Sequence, residues 1–273
     1  MILATAINTL TAAKNPIKSA AHAVQMASLA KAAAQAPTEF HNLLGELQST
    51  GILGWVYTQN IDDLEIKIGL ATDGIHPNCV KLHGSVMKVI CTHCSFTEHV
   101  YHHFTKLRSG ELPCCPQCQN RIKERMNEEK RLSGKGGLLQ PAIILYGESH
   151  PRGEDIAEMQ DLDEQKADNI LVVGTSLKTF GSVDLIKKLS ASLRKNQRGR
   201  VYYMDLQNLP ASLVNVFDRP IQSDCQKFAG YMLERLEKGH DISLTSFRGK
   251  DNLKDWVNAG TIRNDLRPSW AWI

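Results

Sequence analysis

The sequence of 273 residues predicts an α/β chain: a doubly wound parallel sheet into which a small zinc-binding module is inserted. Three observations carry that prediction. Short β-branched runs end in Gly or small polar residues, helical periods lie between them, and two Cys-x-x-Cys pairs interrupt the alternation. At 42% hydrophobic and 22% charged, the chain can bury a full core. A formal charge of +3 is too mild to argue for nucleic acid. No apolar run approaches the ~20 residues that cross a bilayer.

The elements are expected in the following order. Residues 1–36 carry Lys14, Lys18 and Lys31, no acid before Glu39, and much Ala, Ser and Thr. That composition is similar to a mitochondrial presequence but lacks its arginine. An amphipathic helix over 24–35, with Met26, Leu29 and Ala33 at helical spacing, explains it equally and is the preferred reading. A helix from Thr38 to Gln48 behind Pro37 turns at Gly51 into a strand, Trp55 to Thr58, which empties into Gln59-Asn-Ile-Asp62. A second strand, Ala142 to Tyr146, empties into Gly147-Glu148. A third, Ile170 to Val173, empties into Gly174-Thr-Ser176, which opens a helix around Val183 to Leu193. A fourth, Val201 to Met204, empties into Asp205. Ligands of such sheets sit at the carboxyl ends of the strands, so these polar endings are candidate site residues. The charge run Lys123 to Arg131 reads as a solvated helix face, and Gly134-Lys-Gly-Gly137 as a flexible exit from the zinc module.

Cys91-x-x-Cys94 and Cys115-x-x-Cys118 carry the strongest local signal. Each pair brings two thiolates to one side of a tight loop, and two such loops supply four soft ligands to one tetrahedral zinc ion. No position is left for water, so the metal is structural. A disulfide pair is the alternative, disfavoured in a chain that displays no secretory signal. Cys114 is the spare, and Cys79 and Cys225 are by default buried thiols.

The succession Thr58-Gln-Asn-Ile-Asp62, Lys81-Leu-His-Gly-Ser85, the two Cys-x-x-Cys pairs, Tyr146-Gly-Glu148 and Gly174-Thr-Ser-Leu177 resembles the sirtuins, NAD-dependent protein-lysine deacetylases. Ala36-Pro37-Thr38 with His41 looks most like fungal sirtuins directed at acetylated core histone. The resemblance implies a Rossmann-like sheet and a mechanism in which the acetyl oxygen of a substrate lysine attacks the nicotinamide ribose of NAD, expelling nicotinamide. His83 then stands where the family places its general base. An imidazole with a pKa near ~6.5 suits proton transfer from a ribose hydroxyl at neutral pH.

By the same carry-over, Gln59 and Asn60 contact the nicotinamide ribose and ordered water, while Ile61 and Asp62 form the carboxamide pocket. Without the family, Asn and Asp at a strand end read equally as turn formers. Gly174, Thr175 and Ser176, at a helix start, face a phosphate or the adenosine ribose. Asp205 replaces the family's usual asparagine and accepts from adenosine ribose hydroxyls. Cys225, in Ser223-Asp-Cys225, offers a backbone contact near the adenine, or is a structural cysteine. Tyr146, Gly147 and Glu148 flank the acetyl-lysine tunnel, and substrate peptide adds as a strand between them and the loop from Lys178 to Val183.

The family's opening strand and its Gly-Ala-Gly loop for the NAD pyrophosphate find no match here, so the resemblance implies a sheet incomplete at the N-terminus. The missing strand is the central one, which leaves unpaired backbone on two neighbours and weakens NAD binding. The sequence therefore divides into an N-terminal helical segment (1–36), a first Rossmann-like part (37–88), the zinc module (89–137), a second Rossmann-like part (138–238) and a C-terminal extension (239–273) that docks on the body or a partner. The expected partners are NAD and an acetylated protein, a histone in particular, with no membrane and no direct nucleic-acid binding, and the expected location is the nucleus or, alternatively, the mitochondrion. The rival reading is a catalytically inactive scaffold with an intact zinc module.

Overall fold

A computed structural model describes residues 36–72, 77–128, 136–144, 150, 153–196, 199–239 and 270–272. The elements in chain order are α1 (Glu39–Ser49), β1 (Leu53–Thr58), the single turn α2 (Leu64–Lys67), β2 (Cys79–Lys81), β3 (Gly84–Cys91), β4 (Thr97–His99), a 3₁₀ turn (Val100–His103), α3 (Phe104–Arg108) and α4 (Pro116–Asn127). These are followed by β5 (Leu139–Ile143), α5 (Gly153–Lys166), β6 (Asn169–Val173), α6 (Phe180–Lys195), β7 (Arg200–Asp205), a second 3₁₀ turn (Ala211–Val216), β8 (Arg219–Gln222), α7 (Cys225–Glu237) and β9 (Trp270–Trp272).

The chain divides into two units, one taking in residues 60–63 and 81–150, the other 36–59, 64–80 and 151–273. The second unit holds a six-stranded sheet in the order β2-β1-β9-β6-β7-β8. Its pairings from β1 through β9, β6 and β7 to β8 are all parallel. Val56, Leu171, Tyr202, Met204 and Ile221 bury one core with Leu43, Leu44 and Leu47 of α1 and Phe228, Ala229 and Met232 of α7. The start of α1 is fixed by its own sequence: Thr38 Oγ1 and His41 Nδ1 lie 2.7 Å apart, and the Thr38 N–H donates to the same ring nitrogen over 3.3 Å. His41 is thus a capping residue. The other end of the unit ties to this start through the Phe40 N–H, which donates to Gln226 Oε1 at 3.0 Å.

The strand between β1 and β6 is β9, from the segment read as an extension. Trp270 pairs with Leu53 and Asn169, and Trp272 with Val56 and Leu171. The expectation of unpaired backbone on two neighbours is therefore corrected, since β1 and β6 both find a partner in β9. A parallel ladder asks only for an extended segment with free N–H and C=O groups, so this role left no pattern in the sequence. The 24–35 helix, Tyr146, Gly147 and Glu148 lie outside the described residues.

The first unit holds a three-stranded antiparallel sheet, β4-β3-β5. The run read as a parallel strand from Ala142 thus belongs to a different sheet. Its partner is set just upstream, where the Leu139 N–H donates to the Pro113 carbonyl at 2.7 Å and the Leu139 side chain is wholly buried beside Val89 and Cys91. The strand leaves the zinc module already aligned with β3.

Candidate active site and metal centre

The four predicted zinc ligands converge. The Sγ atoms of Cys91, Cys94, Cys115 and Cys118 lie within 4.8 Å of one another, with Cys91 and Cys118 3.7 Å apart and Cys94 and Cys115 3.5 Å apart. Thiolates at about 2.3 Å from a tetrahedral zinc ion are about 3.8 Å from each other, so the donor set fits one ion. Cys91 closes β3, and Ser95 takes a left-handed φ of 56° that turns the chain back after Cys94. Cys115 is the N-cap of α4, with Pro116 behind it and the Cys118 N–H donating to its sulfur at 3.5 Å. Burial raises the Cys91 thiol pKa, but hydrogen bonds from the His93 and Cys94 N–H groups and from the Cys115 and Cys94 thiols together bring it down to about 7. Burial pushes Cys115 up to about 12.

Gly137 corrects the reading of a flexible glycine exit. A Cβ there would lie 2.4 Å from Cys91 Sγ, and the Gly137 carbonyl accepts the Cys115 N–H at 2.9 Å. This glycine is a wall of the metal site. Cys114 is exposed and stands outside the cluster.

His83 belongs to the first unit and sits in the turn that leads into β3. Its carbonyl accepts the Ile144 N–H at 3.0 Å. Gly84 follows at φ 77°, where a Cβ would come within 2.2 Å of the Ala142 carbonyl oxygen, so the turn needs glycine on two counts. The His83 imidazole is half-buried. Burial, and then the neighbouring His150, hold its pKa below 6.5, which keeps it neutral at physiological pH and able to take a proton. His150 Nε2 lies 3.1 Å from the Lys81 carbonyl oxygen.

Both neighbours of the turn reach one buried carboxylate. Lys81 Nζ pairs with Asp63 Oδ1, and Ser85 Oγ donates to Asp63 Oδ2 at 2.6 Å. The Val86 N–H donates to the Ile61 carbonyl at 2.8 Å, which joins the Asn60-Ile-Asp62 segment to the His83 turn. Within that segment Ile61 is buried, Asp62 half-buried and Asn60 exposed. Sequence reasoning stopped the motif at Asp62 and missed Asp63. The available signal was a second acid beside Asp62, facing a lysine two residues before His83.

The other unit brings together motifs 116 residues apart: Gln59 Nε2 donates to Thr175 Oγ1 at 2.9 Å. The Thr175 oxygen also accepts the Leu177 N–H at 3.3 Å, and the Thr175 carbonyl accepts from the Tyr203 hydroxyl at 3.2 Å. Gly174 and Leu177 take φ values of 62° and 53°. Left-handed residues cannot begin an α-helix, so α6 starts later, with Thr179 as N-cap. The placement of Gly174, Thr175 and Ser176 at a helix start is corrected: they form a loop that precedes α6. Asp205 ends β7 and accepts the Gln207 N–H at 2.7 Å. Cys225 is the first residue of α7, behind the N-cap Asp224, which accepts the Gln226 and Lys227 N–H groups. Burial, then the Asp224 carboxylate, raise the pKa of the Cys225 thiol, which packs at the edge of the core.

Residues 7–181 match the Sir2 family. The chain is 35% identical over 250 residues to the NAD-dependent histone deacetylase HST3 of Saccharomyces cerevisiae, covering 85% of this chain and 54% of that protein. It is also 35% identical over 203 residues to the NAD-dependent protein deacetylase hst4 of Schizosaccharomyces pombe, covering 70% of this chain and 47% of that one. The chain spans about half the length of these curated relatives. Among solved structures, a Sir2 protein with a p53 peptide and NAD+ superposes with a TM-score of 0.58 at 24% identity, over 78% of this chain and 73% of that one. That likeness shows the fold.

Proposed function

The chain belongs to the Sir2 family, and from that premise we propose that it is an NAD-dependent protein-lysine deacetylase acting on acetylated histone in the nucleus. The observation that carries the reading is the joining of Asn60-Ile-Asp62 to the His83 turn through the Val86 to Ile61 hydrogen bond of 2.8 Å. Two motifs with no chemistry in common are held side by side, and one of them presents a neutral imidazole.

When bound, NAD would supply the ribose that accepts the acetyl group, with nicotinamide as the leaving group. His83 takes the proton of a ribose hydroxyl at its imidazole, a contribution of about 10² to 10⁴ in rate. Asn60 and Gln59 orient the nicotinamide ribose and a water, and Asp62 accepts from the carboxamide NH₂ group beside Ile61. Thr175, tied to Gln59, with Gly174 and Ser176, faces the phosphates or adenosine ribose, and Asp205 accepts from a ribose hydroxyl. Cys225 offers backbone near the adenine. Cys91, Cys94, Cys115 and Cys118 hold one structural zinc ion, apart from the chemistry.

Mass spectrometry of acetylated histones incubated with the purified chain and NAD tests the proposal, with His83→Ala beside it. NAD-dependent loss of acetyl groups, abolished in the variant, is the expected result. A zinc-loaded, folded chain without activity would sink the enzymatic reading in favour of a scaffold.

A further inference from the structure

We propose that Asp63 is a positioning residue for His83, clamping the turn that bears it from both sides; the role rests on the reading of His83 as general base. The geometry is specific. Lys81 and Ser85 stand two residues before and two after His83, and each binds a different oxygen of the one carboxylate. The Ser85 oxygen in turn accepts the Met87 N–H at 3.0 Å, so the clamp extends into the start of β3. Across the turn, the Ile144 N–H holds the His83 carbonyl at 3.0 Å. The backbone that carries the imidazole is thus held on both flanks of the turn.

Two features mark the clamp as more than a surface ion pair. The Lys81 and Asp63 side chains are 10% and 8% exposed, so both charges are withdrawn from water and removing either alone takes a close opposite charge from the other. Asp63 also holds a left-handed φ of 60°. Backbone of that kind persists only where its surroundings over-determine it, and it gathers at functional sites. A base must be held within a fraction of an ångström, since a misplacement of about 1 Å can cost about 10²-fold in rate.

The test uses two double variants, each with balanced charge. Asp63→Gly with Lys81→Met keeps the left-handed backbone and abolishes the clamp. Asp63→Asn with Lys81→Met retains an acceptor for Ser85. Two rates are followed, deacetylation and the exchange of labelled nicotinamide into NAD, which precedes the proton transfer at His83. The glycine pair is expected to lose roughly 10²-fold in deacetylation and far less in exchange, and the asparagine pair to recover part of that loss. An equal fall in both rates, at unchanged zinc content, would overturn the proposal. The His83 ring resonances, assigned with His83→Ala in ¹H–¹⁵N spectra, give a readout independent of turnover. They are expected to shift or broaden in the glycine pair and stay narrow in the asparagine pair, and unmoved resonances in the glycine pair overturn the clamp. If the unmodified chain shows no deacetylation, the proposed function falls, and the ring resonances still decide for or against Asp63.

Discussion

The zinc-bearing unit and the parallel sheet keep their parts together in opposite ways. In the first, four sulfurs supplied between Cys91 and Cys118 lie within 4.8 Å of each other, and neighbouring loops are arranged around them by Gly137 and by the caps of short helices. In the second, six strands drawn from Leu53 to Trp272 form one sheet, Val56, Leu171, Tyr202, Met204 and Ile221 bury its core, and the strand between β1 and β6 is supplied from far along the chain. A fold organised by ligands near in sequence is strong but hangs on single atoms. One organised by burial spreads its stability over many residues and over long loops.

The comparison breaks most visibly on metal removal. A structural zinc site contributes about 10 to 16 kcal/mol of apparent binding energy, so chelation or Cys115→Ala is expected to abolish hydrogen-exchange protection in β3, β4 and α4 while leaving β6 and β7 protected. Concerted loss across both units would show that they fold as one. Ala271→Pro attacks the opposite region. It removes an N–H from the middle of the sheet, where proline is not tolerated, and the expected result is faster exchange in β1 and β6 with zinc content unchanged. Gly84→Ala is next, at about 1 to 3 kcal/mol, because a left-handed φ and a carbonyl within 2.2 Å both oppose a methyl group; thermal unfolding measures it. Thr38→Ala, which removes the α1 cap, is expected to lower stability by about 1 kcal/mol in the sheet unit only.

The smallest effect is on pH dependence. A base acts when neutral, and burial and then His150 hold the His83 pKa below 6.5. The midpoint of the acidic decline in rate is therefore expected at a pH below 6.5. His150→Ala removes one of the two causes and moves that decline upward, toward 6.5, in a pH–rate profile of kcat/KM. A decline moving downward instead would mean that His150 does not act on His83 through its charge.

The difference between the regions also explains what the sequence could say. Ligand spacing is a local property, so Cys91, Cys94, Cys115 and Cys118 were legible at once, and so was the helix behind Pro37, whose cap lies in four consecutive residues. Strand runs at Trp55, Ile170 and Val201 were legible as strands. Their partners were not, since an apolar run states that it is buried and leaves open against what; the run at Ala142 went to the wrong sheet for that reason. Trp270 to Trp272 is too short to carry any period. Gly174 suggested a helix start because small residues before a periodic segment usually mark one, and only backbone angles reveal the left-handed turns that delay it. Asp63 was hidden because its role depends on Lys81 and Ser85 meeting in space.

The position of β9 has a consequence for the way the protein is made. Strands β1 and β6 leave the ribosome before β9, the latter by on the order of a hundred residues, which at 5 to 20 residues per second is a delay of about 5 to 20 s. Throughout that interval the two strands that will flank the centre of the sheet have no one between them, while the cysteines of the zinc unit have long since emerged and can take their metal. Nascent chains are thus expected to reach a state in which one unit is finished and the other waits with two open edges, the species a chaperone would meet.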